Sequence, residues 1–250
     1  GGSKVVVARL TLTGFDTHAG QAGTQQRLLA ELAEGLAALQ QGLAAQGLLL
    51  IDSGGQYLGG TTDITRMVAV GTLSDAQKHD CTLVLKGMIQ LSLAHFPQGT
   101  LSPMLDALAR APIWQANIDF GHGVGHGVGY FLNVHEGPQS ISRALPEPHM
   151  AMQAGMITSN EPGIYRPGRW GVRIENLLLN VDAGSSEFGD FLRFETLTLC
   201  PIDTRCLVPA LLTPAELAWL NAYHAEVYAR VSPLVSGDAL AWLQQATRPL

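Results

Sequence analysis

Two short stretches of this sequence each set a pair of carboxylates at a fixed distance around a turn. Asp52 and Asp63 flank Leu58-Gly59-Gly60. A chain reversal there places them on adjacent strands within a few residues of one another, close enough to share a metal. Glu161 and Glu175 are symmetric about Gly168, inside Arg166-Pro167-Gly168-Arg169. A hairpin closed on that turn sets the two glutamates directly opposite each other. Opposed carboxylates repel, and the arrangement persists only where a cation, a shared proton or full solvation relieves it. Arg173 stands two residues before Glu175 and so on the same face of its strand, where it can orient the carboxylates and offset part of their charge.

Between the two hairpins lies Gly121-His122-Gly123-Val124-Gly125-His126-Gly127-Val128-Gly129, followed by Asn133-Val134-His135-Glu136-Gly137-Pro138. Glycine at every second position keeps one face free of side-chain bulk, so that backbone or substrate can approach while the histidines project. The segment is not a phosphate-binding G-x-G-x-x-G, because Val128 stands where the last glycine is needed. One imidazole with four carboxylates makes an oxygen-rich site that favours manganese, cobalt or zinc over calcium, manganese foremost. Two such ions roughly 3.5 to 4 Å apart bridge a water, lower its pKa and aim it at a carbonyl, which is metal-assisted hydrolysis. Taken singly, Asp52 or Asp63 reads as a turn residue beside glycine, and His126 as a hydrogen-bonded structural histidine; it is their order along the chain that favours the metal.

The elements that must position these groups are helices mixed with hairpins. Residues 21 to about 46 are rich in Ala, Leu, Gln and Glu with leucines at three- and four-residue steps, which predicts one amphipathic helix. Leu48–Ile51 and Ile64–Val70 read as two strands of a hairpin. Ser74 opens a helix expected to run to about His95, and Ser102-Pro103 opens a shorter one expected to stop before Pro112. Short strands follow, including Gly171–Val181 and Phe191–Leu199, before Thr213-Pro214 caps a helix reaching roughly Arg230. Strands and helices do not alternate strictly, so the fold class is α+β.

The 250 residues are 46% apolar, enough for one sizeable core. A net charge of −6 gives no basic footprint for nucleic acid. No apolar run reaches the length of a membrane span and the first residues lack the build of a secretory signal, so the expectation is a soluble protein that does not engage membranes. Cys81, Cys200 and Cys206 include no C-x-x-C pair and indicate neither a disulfide framework nor a thiolate metal site, which fits a reducing cytoplasm. The chain begins without Met, compatible with a piece of a longer protein.

From about Leu48 to the C-terminus the sequence resembles the catalytic domain of the Xaa-Pro aminopeptidases (aminopeptidase P) of the creatinase-like pita-bread fold. Four motifs carry the likeness in order: Ile51-Asp52-Ser53-Gly54 with Thr61-Thr62-Asp63, the glycine and histidine segment with its tail through Pro138, Asn160-Glu161-Pro162-Gly163, and Arg173-Ile174-Glu175-Asn176. The resemblance implies that Asp52, Asp63, His126, Glu161 and Glu175 bind two divalent ions, with Asp63 and Glu175 bridging. It implies that His122 and His135 line the substrate pocket and, with Arg173, serve catalysis, stabilising the tetrahedral intermediate or shuttling a proton. The implied reaction is hydrolysis of an N-terminal Xaa-Pro peptide bond by a metal-bridging hydroxide, the partner being a peptide with proline at its second position. The segment Phe191–Thr198 favours aminopeptidase P over prolidase. A prolidase- or creatinase-like hydrolase and a catalytically impaired pita-bread binding module are the alternatives.

The likeness stops at the front. The family carries a substrate-binding histidine about twenty residues before its first aspartate, and Leu32 occupies that place here. Residues 5–47, with Gly14-Phe15-Asp16-Thr17-His18, resemble instead an alkaline-phosphatase-like bacterial family of unknown function. The expected division is a foreign or replaced segment over residues 1–47 and a metallopeptidase domain over residues 48–250. A face left bare by the altered front would promote homodimers.

Overall fold

A computed structural model describes residues 47–250. The expected helix over residues 21–46 and the body of the expected foreign segment lie outside the described residues. The first hairpin is β1 (Gly47–Tyr57) and β2 (Gly60–Val70), antiparallel with Tyr57 paired to Gly60 across the turn. Helix α1 (Asp75–Ser92) follows, started by a capping box in which Gln77 N–H donates to the Ser74 hydroxyl and Ser74 N–H to the Gln77 side chain. Its Val84, Leu85, Met88, Ile89 and Leu91 have no exposed surface and form the centre of the core. Helix α1 ends at Ser92, short of the expected His95, because His95–Pro97 forms strand β3.

Helix α2 (Asp106–Gln115) runs through Pro112 rather than stopping before it. Proline removes one backbone donor inside a helix, but Pro112 and Ile113 are buried in the core and Asp106 pairs with Arg110 one turn on. Packing and the ion pair offset the lost bond. After α2 come the two-residue strands β4 (Gly125–His126) and β5 (Ser140–Ile141), which pair with each other.

A four-stranded antiparallel sheet has the order β3-β10-β9-β6, with β6 at Ile157–Asn160, β9 at Asn176–Ser186 and β10 at Gly189–Thr196. Between β6 and β9 the chain makes a second hairpin, β7 (Gly163–Arg166) and β8 (Trp170–Arg173). Pro167 and Gly168 form its turn, with Gly168 at φ +71° and Arg169 N–H donating to Arg166 C=O at 2.9 Å, the geometry in which proline precedes a positive-φ glycine. The expected single strand Gly171–Val181 is thus split at Ile174-Glu175. Helices α3 (Pro214–Val231), with a Thr213–Glu216 capping box, and α4 (Gly237–Ala246) close the chain. The mixed content bears out the α+β class. Among the described residues no helix is long and apolar enough to cross a membrane.

Candidate metal centre

The split in the second hairpin is what builds the site. Asn160 pairs with Asn176 on one side of it and Gly163 with Arg173 on the other, so the register carries through and Glu161 lies opposite Glu175. At the break the two backbones turn outward to other partners. Glu161 N–H donates to Val124 C=O at 2.7 Å, while Glu175 N–H donates to Thr65 C=O at 3.1 Å. Pro162 has no N–H to close the ladder here. The two glutamates therefore dock the hairpin against both the histidine segment and β2.

On β2, Asp63 and Thr65 point to one face, and Asp52 on β1 pairs with Thr65 and joins them. Gly54, opposite Asp63, adds no side chain to the cavity. The histidine segment comes in edgewise. A Cβ at Gly125 would sit 1.9 Å from Ser159 C=O and one at Gly127 2.0 Å from Glu136 C=O, so only glycine admits this approach. His126 Nδ1 lies 3.0 Å from Gly127 C=O, which can only accept, so Nδ1 carries the proton and Nε2 faces the carboxylates. Nε2 is 3.6 Å from Asp63 Oδ2 and 3.3 Å from Glu161 Oε1.

The structure brings Asp52, Asp63, His126, Glu161 and Glu175 together, and His135 with them. Ligand atoms of Asp52, Asp63 and Glu175, of His126, Glu161 and Glu175, and of Asp63, His126 and His135 each lie within 4.8 Å of one another. The His126 and His135 rings meet edge to face at 4.1 Å. Arg173 pairs with Asp52 and stands 3.6 Å from Glu161 Oε2. A cavity of about 310 Å³, lined by Asp52, Gln56, Asp63, Val134 and His135, opens beside the cluster. His122 lies to one side: its Nδ1 donates to Gly123 C=O at 2.7 Å, leaving Nε2 to accept from the Tyr165 hydroxyl at 2.8 Å.

The electrostatics are those of a cation-seeking cluster. Burial, reinforced by the Glu161 and Asp63 charges, pushes the Glu175 carboxyl up to about 8. Burial works against a charged His126, but Asp63 and Glu161 outweigh it and raise the imidazole to about 10. Burial also raises Asp52, partly offset by Arg173 and reinforced by Asp63. Glu175 Oε1 is buried without a hydrogen-bond partner among the described residues. An orphaned buried carboxylate oxygen amid three further carboxylates and an imidazole nitrogen is a donor set that fits hard to borderline divalent ions, the imidazole giving up its Nε2 proton to bind.

Two residues that the four sequence motifs leave out hold this cluster, and a third holds His122 beside it. Thr65 accepts from Arg173 Nε at 3.0 Å and donates to Glu175 Oε2 at 2.7 Å. Ser159 accepts from His126 N–H and donates to Glu161 Oε1. Tyr165 folds its ring over Gly163 and Gly171 to reach His122, and its hydroxyl stands 3.5 Å from Arg173. Strand periodicity gave a usable signal for two of them, since Thr65 and Ser159 lie two residues from Asp63 and Glu161 on the same faces.

Residues 21–181 match metallopeptidase family M24, and residues 190–250 match the C-terminal region of peptidase M24. The chain is similar to a probable Xaa-Pro aminopeptidase P of Laccaria bicolor, 47% identical over 206 residues that are 80% of this chain and 32% of that protein. It is 50% identical to aminopeptidase P2 of Arabidopsis thaliana over 209 residues, 82% of this chain and 29% of that one. Among solved structures it resembles X-prolyl aminopeptidase from Caenorhabditis elegans, described as a cytosolic enzyme with a di-nuclear active site, with a TM-score of 0.77 and 40% identity over 83% of this chain and 34% of that chain. A prolidase from Thermococcus sibiricus matches with a TM-score of 0.52 and 30% identity over 62% of this chain and 38% of its own. The chain spans about a third of the length of the curated relatives it matches. With both regions of the family matched in order and the pita-bread architecture shared with these structures, the chain belongs to metallopeptidase family M24.

Proposed function

We propose that this chain carries the metal centre of an aminopeptidase that removes the residue ahead of an N-terminal Xaa-Pro bond. Asp52, Asp63, His126, Glu161 and Glu175 would hold two divalent ions, manganese by preference with zinc or cobalt as substitutes. The observation that carries this reading is the convergence of four carboxylates and one imidazole in overlapping trios whose ligand atoms lie within 4.8 Å of one another, with the buried Glu175 Oε1 left without a partner.

Bound ions of this kind supply an activated water at neutral pH and polarise the scissile carbonyl. The protein's own groups do the rest. Ser159 and Thr65 fix the orientation of Glu161 and Glu175 by hydrogen bonds to one oxygen each. Arg173 ties Asp52 and Glu161 together and limits their mutual repulsion. His135, exposed at the cavity edge, is placed to meet a substrate carbonyl or carry a proton, and His122 presents an imidazole fixed in one tautomer by Gly123 and Tyr165. The names of the fungal, plant and nematode relatives support proline at the second position of the peptide. The cytosolic C. elegans enzyme supports a cytoplasmic setting.

The test is metal content together with cleavage of an Xaa-Pro-Xaa tripeptide and an Xaa-Pro dipeptide by the manganese-loaded chain. Two ions per chain and release of the first residue from the tripeptide are expected, with cleavage lost and manganese affinity weakened to a lower, still measurable value in Asp63→Asn and Glu175→Gln. Unchanged hydrolysis by either variant overturns the reading, and cleavage confined to the dipeptide would make the chain prolidase-like.

A further inference from the structure

Arg66 is buried, with only 7% of its surface exposed, on the face of β2 opposite Asp63 and Thr65. Its acceptors are all neutral. Nη1 donates to Thr65 C=O at 3.0 Å and to Glu175 C=O at 2.6 Å; Nη2 donates to Asn176 Oδ1 at 2.7 Å, Tyr223 Oη at 2.8 Å and Cys200 C=O at 2.9 Å; Nε reaches Pro201 C=O at 3.1 Å. A buried guanidinium held only by neutral dipoles is costly unless every donor is met. Here that demand is spread over three separate pieces of chain: β2, the residue pair Glu175-Asn176, and the C-terminal segment with α3. Glu175 is consequently gripped from both faces of β2, its carboxylate by Thr65 on one side and its backbone carbonyl by Arg66 on the other.

Tyr223 is the far anchor. It stacks on Trp219 at 5.2 Å within α3, and its hydroxyl accepts from Arg66 while donating to Cys200 C=O at 2.8 Å. That hydroxyl therefore decides where the guanidinium can sit, and the guanidinium decides where the Glu175 backbone can sit. We propose that Arg66 is a positioning residue of the metal centre and that Tyr223, acting through it, makes retention of the ion at Glu175 depend on the C-terminal helix. This rests on the reading of Glu175 as a metal ligand.

Arg66→Lys keeps the charge but offers one nitrogen where three are used, and Tyr223→Phe removes one oxygen with little change of volume. Manganese is titrated calorimetrically into the metal-stripped full chain of the wild type, of both variants, of Glu175→Gln, and of the two double variants. The expected result is affinity lowered about 10–100-fold, as for loss of an outer-shell partner, in each single variant, with no further loss when either is added to Glu175→Gln. An undiminished affinity in both single variants overturns the proposal. So does a loss equally large in the Glu175→Gln background, because the effect then does not pass through Glu175. A wild-type chain that takes up no manganese overturns the metal reading itself and this proposal with it.

Discussion

The Thr65 hydroxyl links Arg173 to Glu175, accepting from the guanidinium at 3.0 Å and donating to Oε2 at 2.7 Å. One small side chain thus connects the cation on β8 to the most buried carboxylate of the cluster, and it does so from the strand that carries Asp63. Thr65→Val keeps the shape and leaves Oε2 without its donor. We expect about 1–3 kcal/mol of lost stability in denaturant unfolding, and manganese affinity reduced roughly 10–100-fold. Thr65→Ser should restore both. Wild-type manganese affinity in the valine variant would remove Thr65 from the positioning of Glu175.

The metal-free chain should lose stability as pH rises. Glu175 is raised from 4.5 to about 8 by burial and its acidic neighbours, and His126 from 6.5 to about 10 by Asp63 and Glu161 against burial. Each folded-state value lies above its unfolded one, so the folded chain binds the extra protons. The Glu175 contribution is complete below 4.5 and fades towards 8, and that of His126 is complete below 6.5 and fades towards 10. Melting temperatures of the stripped chain should fall from about pH 6.5 upward, because below that His224, lowered from 6.5 to about 4 by burial, works in the opposite direction, and manganese should flatten the decline. Metal uptake at neutral pH should release protons, measurable by calorimetry in buffers of different ionisation heat. A melting temperature that climbs with pH above 6.5 in the stripped chain would contradict the assignment of these protons.

Tyr165→Phe leaves every carboxylate and imidazole of the metal cluster intact and takes away the donor to His122 Nε2, together with a long 3.5 Å contact from Arg173. The expected outcome is unchanged manganese stoichiometry with kcat/KM for an Xaa-Pro peptide lowered about tenfold, the worth of one modest hydrogen bond. Loss of metal in this variant would show that the tyrosine supports the cluster rather than the imidazole.

Gly125→Ala sets a methyl group 1.9 Å from the Ser159 carbonyl, backbone against backbone. Its stability should drop by about 3 kcal/mol or more, at or beyond the usual cost of overpacking. Gly121→Ala meets nothing within 4 Å, and as a surface-like change it should stay within about 0.5 kcal/mol. The pair of melting curves separates close approach from mere loss of glycine. Equal effects at the two positions would mean that the histidine segment can shift to make room.

The parts of the site legible in the sequence are those fixed by local rules. Pro167-Gly168 announces its own turn, and strand periodicity then carries Glu161 to a place opposite Glu175 without any knowledge of the rest of the fold. The same holds for Asp52 and Asp63 around Leu58-Gly59. What the sequence hid depends on contacts between distant segments. Arg66 bonds to residues more than a hundred positions away, and nothing in its neighbours says that it is buried. Tyr165 reaches His122 only because the two lie on elements that meet in three dimensions. Pro112 misled for a related reason, since a local stop signal was overridden by packing in the core.

The turn at Pro167-Gly168 has one more implication. Seven positions separate its glycine from each glutamate, and side chains on a strand alternate faces at every step. The loop is therefore a spacer whose length matters more than its chemistry. Exchanging Arg169 should be harmless to the cluster, whereas a single extra residue beside Gly168 would rotate one glutamate away from its partner and empty half the cradle, though no residue of the cradle itself had been altered.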